Sequence, residues 1–170
     1  MPKNIFLTGF MGAGKSTVGR VLSRLLKLKF VDLDSNIAKS CGKTITKIFE
    51  AEGEDFFRKV ENENLEKIFL NDSQVVSLGG GTLTTADNLQ KILVNGRLFY
   101  LKADLDTLVR RVIPNSHLRP LLKDKNAGEI RLAIAKLLHE RENVYMKAPF
   151  TIDTVDKSVT EIAESIISCL

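Results

Sequence analysis

Tryptophan is absent from this sequence, cysteine occurs twice, proline four times, and the aromatic residues together make up 6% of 170 positions. Two cysteines cannot build the disulfide framework of a small secreted scaffold. Cys41 and Cys169 have no metal-ligand spacing to each other or to the two histidines, so both read as packing residues. No run approaches the roughly 18 consecutive apolar residues of a membrane span, and the N-terminal stretch lacks the basic, apolar and small-residue order of a signal peptide. The reading is a chain with no membrane partner and a cytoplasmic working place. There is also no internal repeat, low-complexity tract or Ser/Pro-rich linker, so residues 1–170 are expected to form a single domain.

Hydrophobic residues are 44% and charged residues 27% of the chain, the proportions of a soluble globular protein able to bury a core. The 25 basic and 21 acidic residues leave a net charge of +4. The basic residues are dispersed and are not interleaved with aromatics, which argues against nucleic acid and leaves room for an anionic small substrate.

Asn4 to Thr8 is a short apolar run closed by Gly9, a buried strand ending in a loop. After Lys15, Val18, Val21, Leu22 and Leu25 fall at helical spacing, with Arg20, Arg24 and Lys27 on the other side. Phe30 to Asp34 reads as a second strand, and Gln74 to Leu78, Arg97 to Lys102 and Phe150 to Asp153 as three more, with helical stretches between. Strand, helix and strand in repetition mean an α/β fold, a parallel sheet covered on both faces. Ile113 to Gly128 carries Pro114, Asn115, Pro120 and Asn126 between two helical patterns, and a loop of that length inside a compact domain is expected to be a mobile lid.

Gly9-Phe-Met-Gly-Ala-Gly14-Lys15-Ser16 matches the phosphate-binding loop, and it lies between a strand and a helix as that mechanism requires. Glycines let backbone N–H groups converge on phosphate oxygens, the helix N-terminus adds partial positive charge, Lys15 reaches the outer phosphates and Ser16 offers a hydroxyl to magnesium. Asp32 and Asp34 alternate along the expected second strand, which would send both side chains from one face beside the loop. Asp32 is then a candidate for holding magnesium, and Asp34 for accepting or aiming an acceptor hydroxyl; the competing role for one of the pair is to cap the helical segment from Ser35. Gly79-Gly80-Gly81 follows the third strand, and close approach of the backbone to a ligand explains three glycines better than a loose turn does.

In the helical stretch from Glu129 to Lys147 the apolar stripe Ile130, Ala133, Ile134, Leu137, Leu138 continues into Arg141 and Tyr145, so Arg141 points inward and needs an anion. Arg58 follows Phe56 and Phe57 on a stripe that continues through Glu61, Leu65 and Ile68, and Glu61 stands at the spacing that could hold it. An internal salt bridge is the alternative for either arginine. Arg119 lies within the lid, in His117-Leu-Arg-Pro-Leu-Leu122, where it can swing onto a transferring phosphoryl group or stay in solvent.

With Gly-Phe-Met-Gly-Ala-Gly-Lys-Ser at 9–16, Asp-Leu-Asp at 32–34, Phe-Phe-Arg-x-x-Glu at 56–61, Gly-Gly-Gly at 79–81, Arg-Pro-Leu-Leu at 119–122 and Arg-x-x-x-Tyr-x-x-Ala at 141–148, the chain closely resembles the shikimate kinases over essentially its full length. The resemblance implies a three-layer P-loop kinase fold of the nucleoside-monophosphate-kinase kind, with a five-stranded parallel sheet flanked by helices and a mobile lid at about 113–128. It implies a monomer that moves the terminal phosphoryl group of ATP to the 3-hydroxyl of shikimate with Mg2+ as cofactor. Carried over, ATP would be held by Gly12, Ala13, Gly14, Lys15, Ser16, Thr17, Arg111 and Arg119, and magnesium by Ser16 and Asp32. Shikimate would be held by Asp34, Arg58, Gly79, Gly80, Gly81 and Arg141, with Lys15, Asp34 and Arg119 as the catalytic set.

The chain departs from the family pattern before the lid, where Arg110 and Arg111 compete for one position against the adenine and Arg111 is favoured. Whether Asp34 is a base or an orienter stays open. Two rivals remain at this stage: a related small-molecule kinase, such as one for gluconate, and a regulatory module that binds ATP without transferring phosphate.

Overall fold

Five short runs become strands: β1 (Asn4–Thr8), β2 (Lys29–Asp32), β3 (Gln74–Ser77), β4 (Gly96–Lys102) and β5 (Phe150–Asp153). They form one parallel sheet in the order β2-β3-β1-β4-β5. The structure, a computed structural model, describes residues 3–85, 87–119 and 121–170, with Leu118 by its backbone only. Residues 1 and 2 of the expected domain, and Pro120 of the expected lid motif, lie outside the described residues. β1 and β3 are buried along their whole length, as inner strands of a sheet covered on both faces must be. The chain runs from β1 outward to β2, returns to β3 and then crosses to β4 on the far side of β1. That reversal opens a crevice at the carboxyl ends of the central strands, where open α/β sheets bind ligands.

The helices are α1 (Lys15–Leu26), α2 (Leu33–Cys41), α3 (Ile45–Phe69), α4 (Asn88–Asn95), α5 (Leu105–Val112), α6 (Ala127–Tyr145) and α7 (Val159–Ile167). α1 packs on α7 and on β3, α2 on α3, and α5 on α6. Inside α3, Gly53 sits at φ 80° and ψ 178°, which breaks the helix into two pieces. α6 starts from a capping box in which Asn126 accepts from the Glu129 amide and the Glu129 carboxylate accepts from the Asn126 amide.

Three local expectations need correction. Phe30 to Asp34 is not one strand: β2 stops at Asp32, whose carboxylate accepts from the Ser35 amide at 3.0 Å and caps α2, so Asp34 falls in the first helical turn. Leu25 is 51% exposed, because the last turn of α1 turns Leu22 and Leu26 toward the core before Lys27 ends the helix in the left-handed region. The stretch from Ile113 is not all loop, since Ile113–Leu118 forms a 3-10 helix and α6 begins at Ala127. β3 and β4 differ from expectation only at their ends, and Leu78, just past β3, still donates its amide to the Leu7 carbonyl at 3.0 Å.

Leu22 has no exposed surface and lies where α1 meets the sheet. Leu22→Ala should lower the unfolding free energy by about 2–5 kcal/mol in urea titrations, with an unchanged m-value, through lost burial and the cavity left behind.

Candidate active site

The phosphate-binding loop joins β1 to α1. Gly12 and Gly14 have φ of 82° and 94°, a region that side-chain-bearing residues avoid, so the turn depends on glycine there. Gly14 caps α1 with no side-chain hydrogen bond, which leaves the first N–H groups of the helix facing the cavity above it. The Lys15 ammonium folds back to donate to the carbonyls of Gly9 at 2.7 Å and Phe10 at 3.1 Å. Burial lowers its pKa to about 8, opposed by the nearby Asp34 carboxylate and reinforced by Arg119.

Ser16 donates to Asp32 Oδ2 at 2.6 Å, and its oxygen lies 3.2 Å from the Ser77 hydroxyl at the end of β3. The other carboxylate oxygen of Asp32 is the α2 cap. The competing role of helix cap, weighed for one of the two aspartates, is filled by Asp32, the residue also joined to Ser16. Asp34 lies 2.9 Å from where a methyl group on Gly79 would stand, so Gly79 is what lets this carboxylate reach the sheet end. Burial raises Asp34 to about 6, Lys15 pulls it down, and Asp32 and Glu61 push it further up.

On the acceptor side, Glu61 has no exposed surface and accepts from Arg58 Nη1 at 2.8 Å and from the Thr82 hydroxyl at 2.7 Å. Glu54, one turn earlier on α3, accepts from Arg58 Nε and Nη2 at 3.3 and 3.2 Å. Arg58 is therefore fixed from two sides, and a methyl group on Gly81 would stand 2.6 Å from its Nη2. Arg141 lies on the inward stripe of α6, as expected, with Nη1 3.4 Å from the place of a methyl group on Gly80. A methyl group at 79 or 81 would thus crowd Asp34 or Arg58, whereas one at 80 would meet Arg141 only at ordinary contact distance.

Two cavities open from this crevice. One, of about 500 Å3, is lined by residues 11–18 with Asp32, Ser77, Arg111, Arg119, Lys157 and Ile162. The second, of about 340 Å3, is lined by Arg58, Glu61, Gly79, Gly81 and Arg141 together with Ile45, Phe49, Phe57 and Leu121. Asp34 and Gly80 line both, so the two spaces meet at the Asp34 carboxylate. Arg119 lines the first cavity, and its Nε is buried and, among the described residues, has no hydrogen-bond partner. Arg111 donates to the Thr154 carbonyl at 3.0 Å and to its hydroxyl at 3.2 Å. Arg110 is exposed and lines neither cavity, so the choice of Arg111 agrees with the geometry.

The structure brings the residues named from sequence together at one crevice, and it adds supports not among them: Glu54, Ser77, Thr82 and Thr154. Ser77 carried a signal, a hydroxyl ending a buried apolar strand. Thr82 and Thr154 are ordinary loop-edge threonines whose partners are 21 and 43 residues away, and nothing local marks them.

A triphosphate loop facing one cavity, and a second cavity meeting it at a single carboxylate, place the molecule among the phosphate-binding-loop kinases. The family model described as shikimate kinase matches residues 11–170. The chain is 40% identical to the shikimate kinase of a Sulfurihydrogenibium species over 98% of its own length and 96% of the relative's. With that of Chlorobium limicola it shares 42% identity, covering 96% and 86%. Among solved structures, a shikimate kinase from Acinetobacter baumannii in complex with shikimate superposes with a TM-score of 0.92 at 35% identity, over 99% of this chain and 93% of that one. The chain belongs to the shikimate kinase family, the ATP-dependent kinases of shikimate.

The two shifted groups predict a bell-shaped pH dependence. Asp34 must be ionised, so kcat/KM with both substrates below their KM values should fall as pH drops through about 6, well above an ordinary carboxylate. Lys15 must be charged, so the same quantity should fall as pH rises through about 8. A profile flat from pH 5 to 9 would contradict both roles. Gly81→Ala meets only the flexible end of Arg58, so it should raise the shikimate KM by roughly tenfold while thermal melting moves little.

Proposed function

We propose that the two cavities are the ATP and shikimate sites of one in-line phosphoryl transfer, with the γ-phosphoryl group passing to the shikimate 3-hydroxyl beside Asp34. The observation that carries this reading is that Asp34 and Gly80 line both cavities. Lys15, the loop amides from Gly12 to Thr17 and the N-terminus of α1 hold the phosphates, and Arg111 lies along the nucleotide. Arg119 supplies the lid's positive charge to the transferring group, where its unpartnered Nε gains an acceptor. Arg58 and Arg141 hold the shikimate carboxylate, whose planar pair of oxygens suits guanidinium groups. The glycines at 79–81 lie against the ring, and Asp34 accepts the hydrogen bond of the attacking hydroxyl. A carboxylate raised to about 6 is ionised at neutral pH and more basic than one in water, which favours that contact.

The oxygens of Ser16 and Asp32, already 2.6 Å apart, fit Mg2+, a hard cation that takes few protein ligands and completes its shell with phosphates and water. Bound there, the ion would neutralise charge on the β- and γ-phosphates. Ser16 would turn its hydroxyl from the Asp32 carboxylate to present its lone pair. No helix among the described residues is long and apolar enough to cross a membrane. We read the chain as one domain with its lid at about 113–128, acting as a cytoplasmic monomer without nucleic acid.

A coupled assay of ADP release with ATP and magnesium, comparing shikimate, quinate, gluconate and no acceptor, tests the assignment directly. Release that depends on shikimate is expected. Equal release with gluconate, or none with any acceptor, would remove the acceptor assignment. Lys15→Ala should abolish shikimate-dependent release while leaving the melting temperature close to that of the parent, and near-normal turnover would overturn the role given to the loop.

A further inference from the structure

The two arginines of the acceptor cavity are held in different ways. Arg58 is neutralised in place by two carboxylates, Glu61 and Glu54, at 2.8 and 3.2 Å. Arg141 takes part in no ion pair among the described residues. Its neighbour is the hydroxyl of Tyr145, one turn further along α6: Arg141 Nη1 and the Tyr145 hydroxyl stand 3.4 and 3.7 Å from the place of a methyl group on Gly80. The same hydroxyl donates to the carbonyl of Gly80. Tyr145 has no exposed surface, and its ring packs against Tyr100 with centroids 5.3 Å apart. Phenylalanine would fill that volume equally well, so what the hydroxyl adds is its hydrogen bond to Gly80 and its place beside the guanidinium.

We propose that Tyr145 is a positioning residue that ties the Arg141 guanidinium to the Gly80 peptide, and so fixes the span from the carboxylate end of the acceptor cavity to Asp34. The span has a backbone ruler: Asp34 packs on Gly79, and Arg141 and Tyr145 pack on Gly80, the next residue. A neutral hydroxyl is suited to this task because it orients the guanidinium without cancelling its charge. Arg58 is already neutralised, so Arg141 is the group with charge left for the carboxylate of the acceptor. The hydroxyl has one proton and donates it to Gly80, so what it offers a neighbouring cation is its oxygen lone pairs. The inference rests on the reading of Arg141 as a carboxylate partner.

Tyr145→Phe keeps the ring and removes the hydroxyl with its bond to Gly80. The expected result is a shikimate KM raised roughly tenfold, an ATP KM within about twofold of the parent and a kcat lowered less than about threefold. A residue that served only to hold the fold would lower kcat through lost active enzyme and leave KM in place. Arg141→Ala should raise the shikimate KM further than Tyr145→Phe, and the double variant should be no worse than Arg141→Ala alone, because the hydroxyl acts through that guanidinium. Multiplying effects in the double variant, or a Tyr145→Phe KM within about twofold of the parent, would overturn the relay while leaving the clamp intact. An unchanged KM for Arg141→Ala would overturn the clamp and the relay together. The carboxamide analogue of shikimate supplies a measurement independent of folding losses: normalised to active sites, Tyr145→Phe should turn it over at the parent rate. An equal loss with shikimate and the carboxamide would also overturn the relay.

Discussion

The active site depends on charged side chains pressed against a stretch of backbone that has no side chains of its own. Asp34 and Arg58 arrive from the consecutive helices α2 and α3 and Arg141 from α6, much later in the chain, and all three come to rest on residues 79–81. A methyl group at 79 or 81 would stand under 3 Å from Asp34 or Arg58. The constraint is one of space, not of backbone angle, since none of the three glycines has a positive φ. Because the glycines follow a central strand of the sheet, their position is fixed by the core, and the charges inherit that rigidity.

Burying charge is costly unless each ion is answered by hydrogen bonds. Glu61 is the clearest case: with no exposed surface, one oxygen accepts from Arg58 and the other from Thr82. This couples α3 to the turn after the glycines, so the loop and the arginine cannot move independently. Lys15 and Asp34 are left with larger consequences of burial, one lowered to about 8 and the other raised to about 6. Each thereby moves toward neutrality in the ligand-free molecule, and an incoming phosphate or hydroxyl supplies what burial has withheld. The two cavities meet at Asp34, which lines both, while Lys15 lines one of them.

Much of this was legible in the residues. The five strands, the loop, the inward arginine on α6 and the pairing of Arg58 with Glu61 all follow from short-range regularities: apolar runs, a 3.6-residue stripe and an i, i+3 spacing. The loop reading survives in detail because its glycines answer to local backbone geometry. The reading of Asp32 and Asp34 as neighbours on one strand fails, because a two-residue alternation looks the same whether the chain stays extended or enters a helix after the first aspartate. Only the Asp32 cap to the Ser35 amide separates the two. The mistaken strand nonetheless led to the right neighbourhood, since the first turn of α2 opens beside the same sheet end.

Sequence by itself determined the class of fold, the triphosphate loop and the residue types that carry charge into the crevice, because each of these is written in contiguous stretches of a few residues to two helical turns. Tertiary structure alone decided that Thr82 holds Glu61, that Thr154 holds Arg111, that Tyr145 holds Gly80 and that Asp34 stands at the meeting of two cavities. Most of those contacts span tens of residues, and they exist because parallel strands are joined through crossover helices that carry distant segments to one end of the sheet. No local pattern specifies which of several buried hydroxyls will meet which charge; the packing of the layers does.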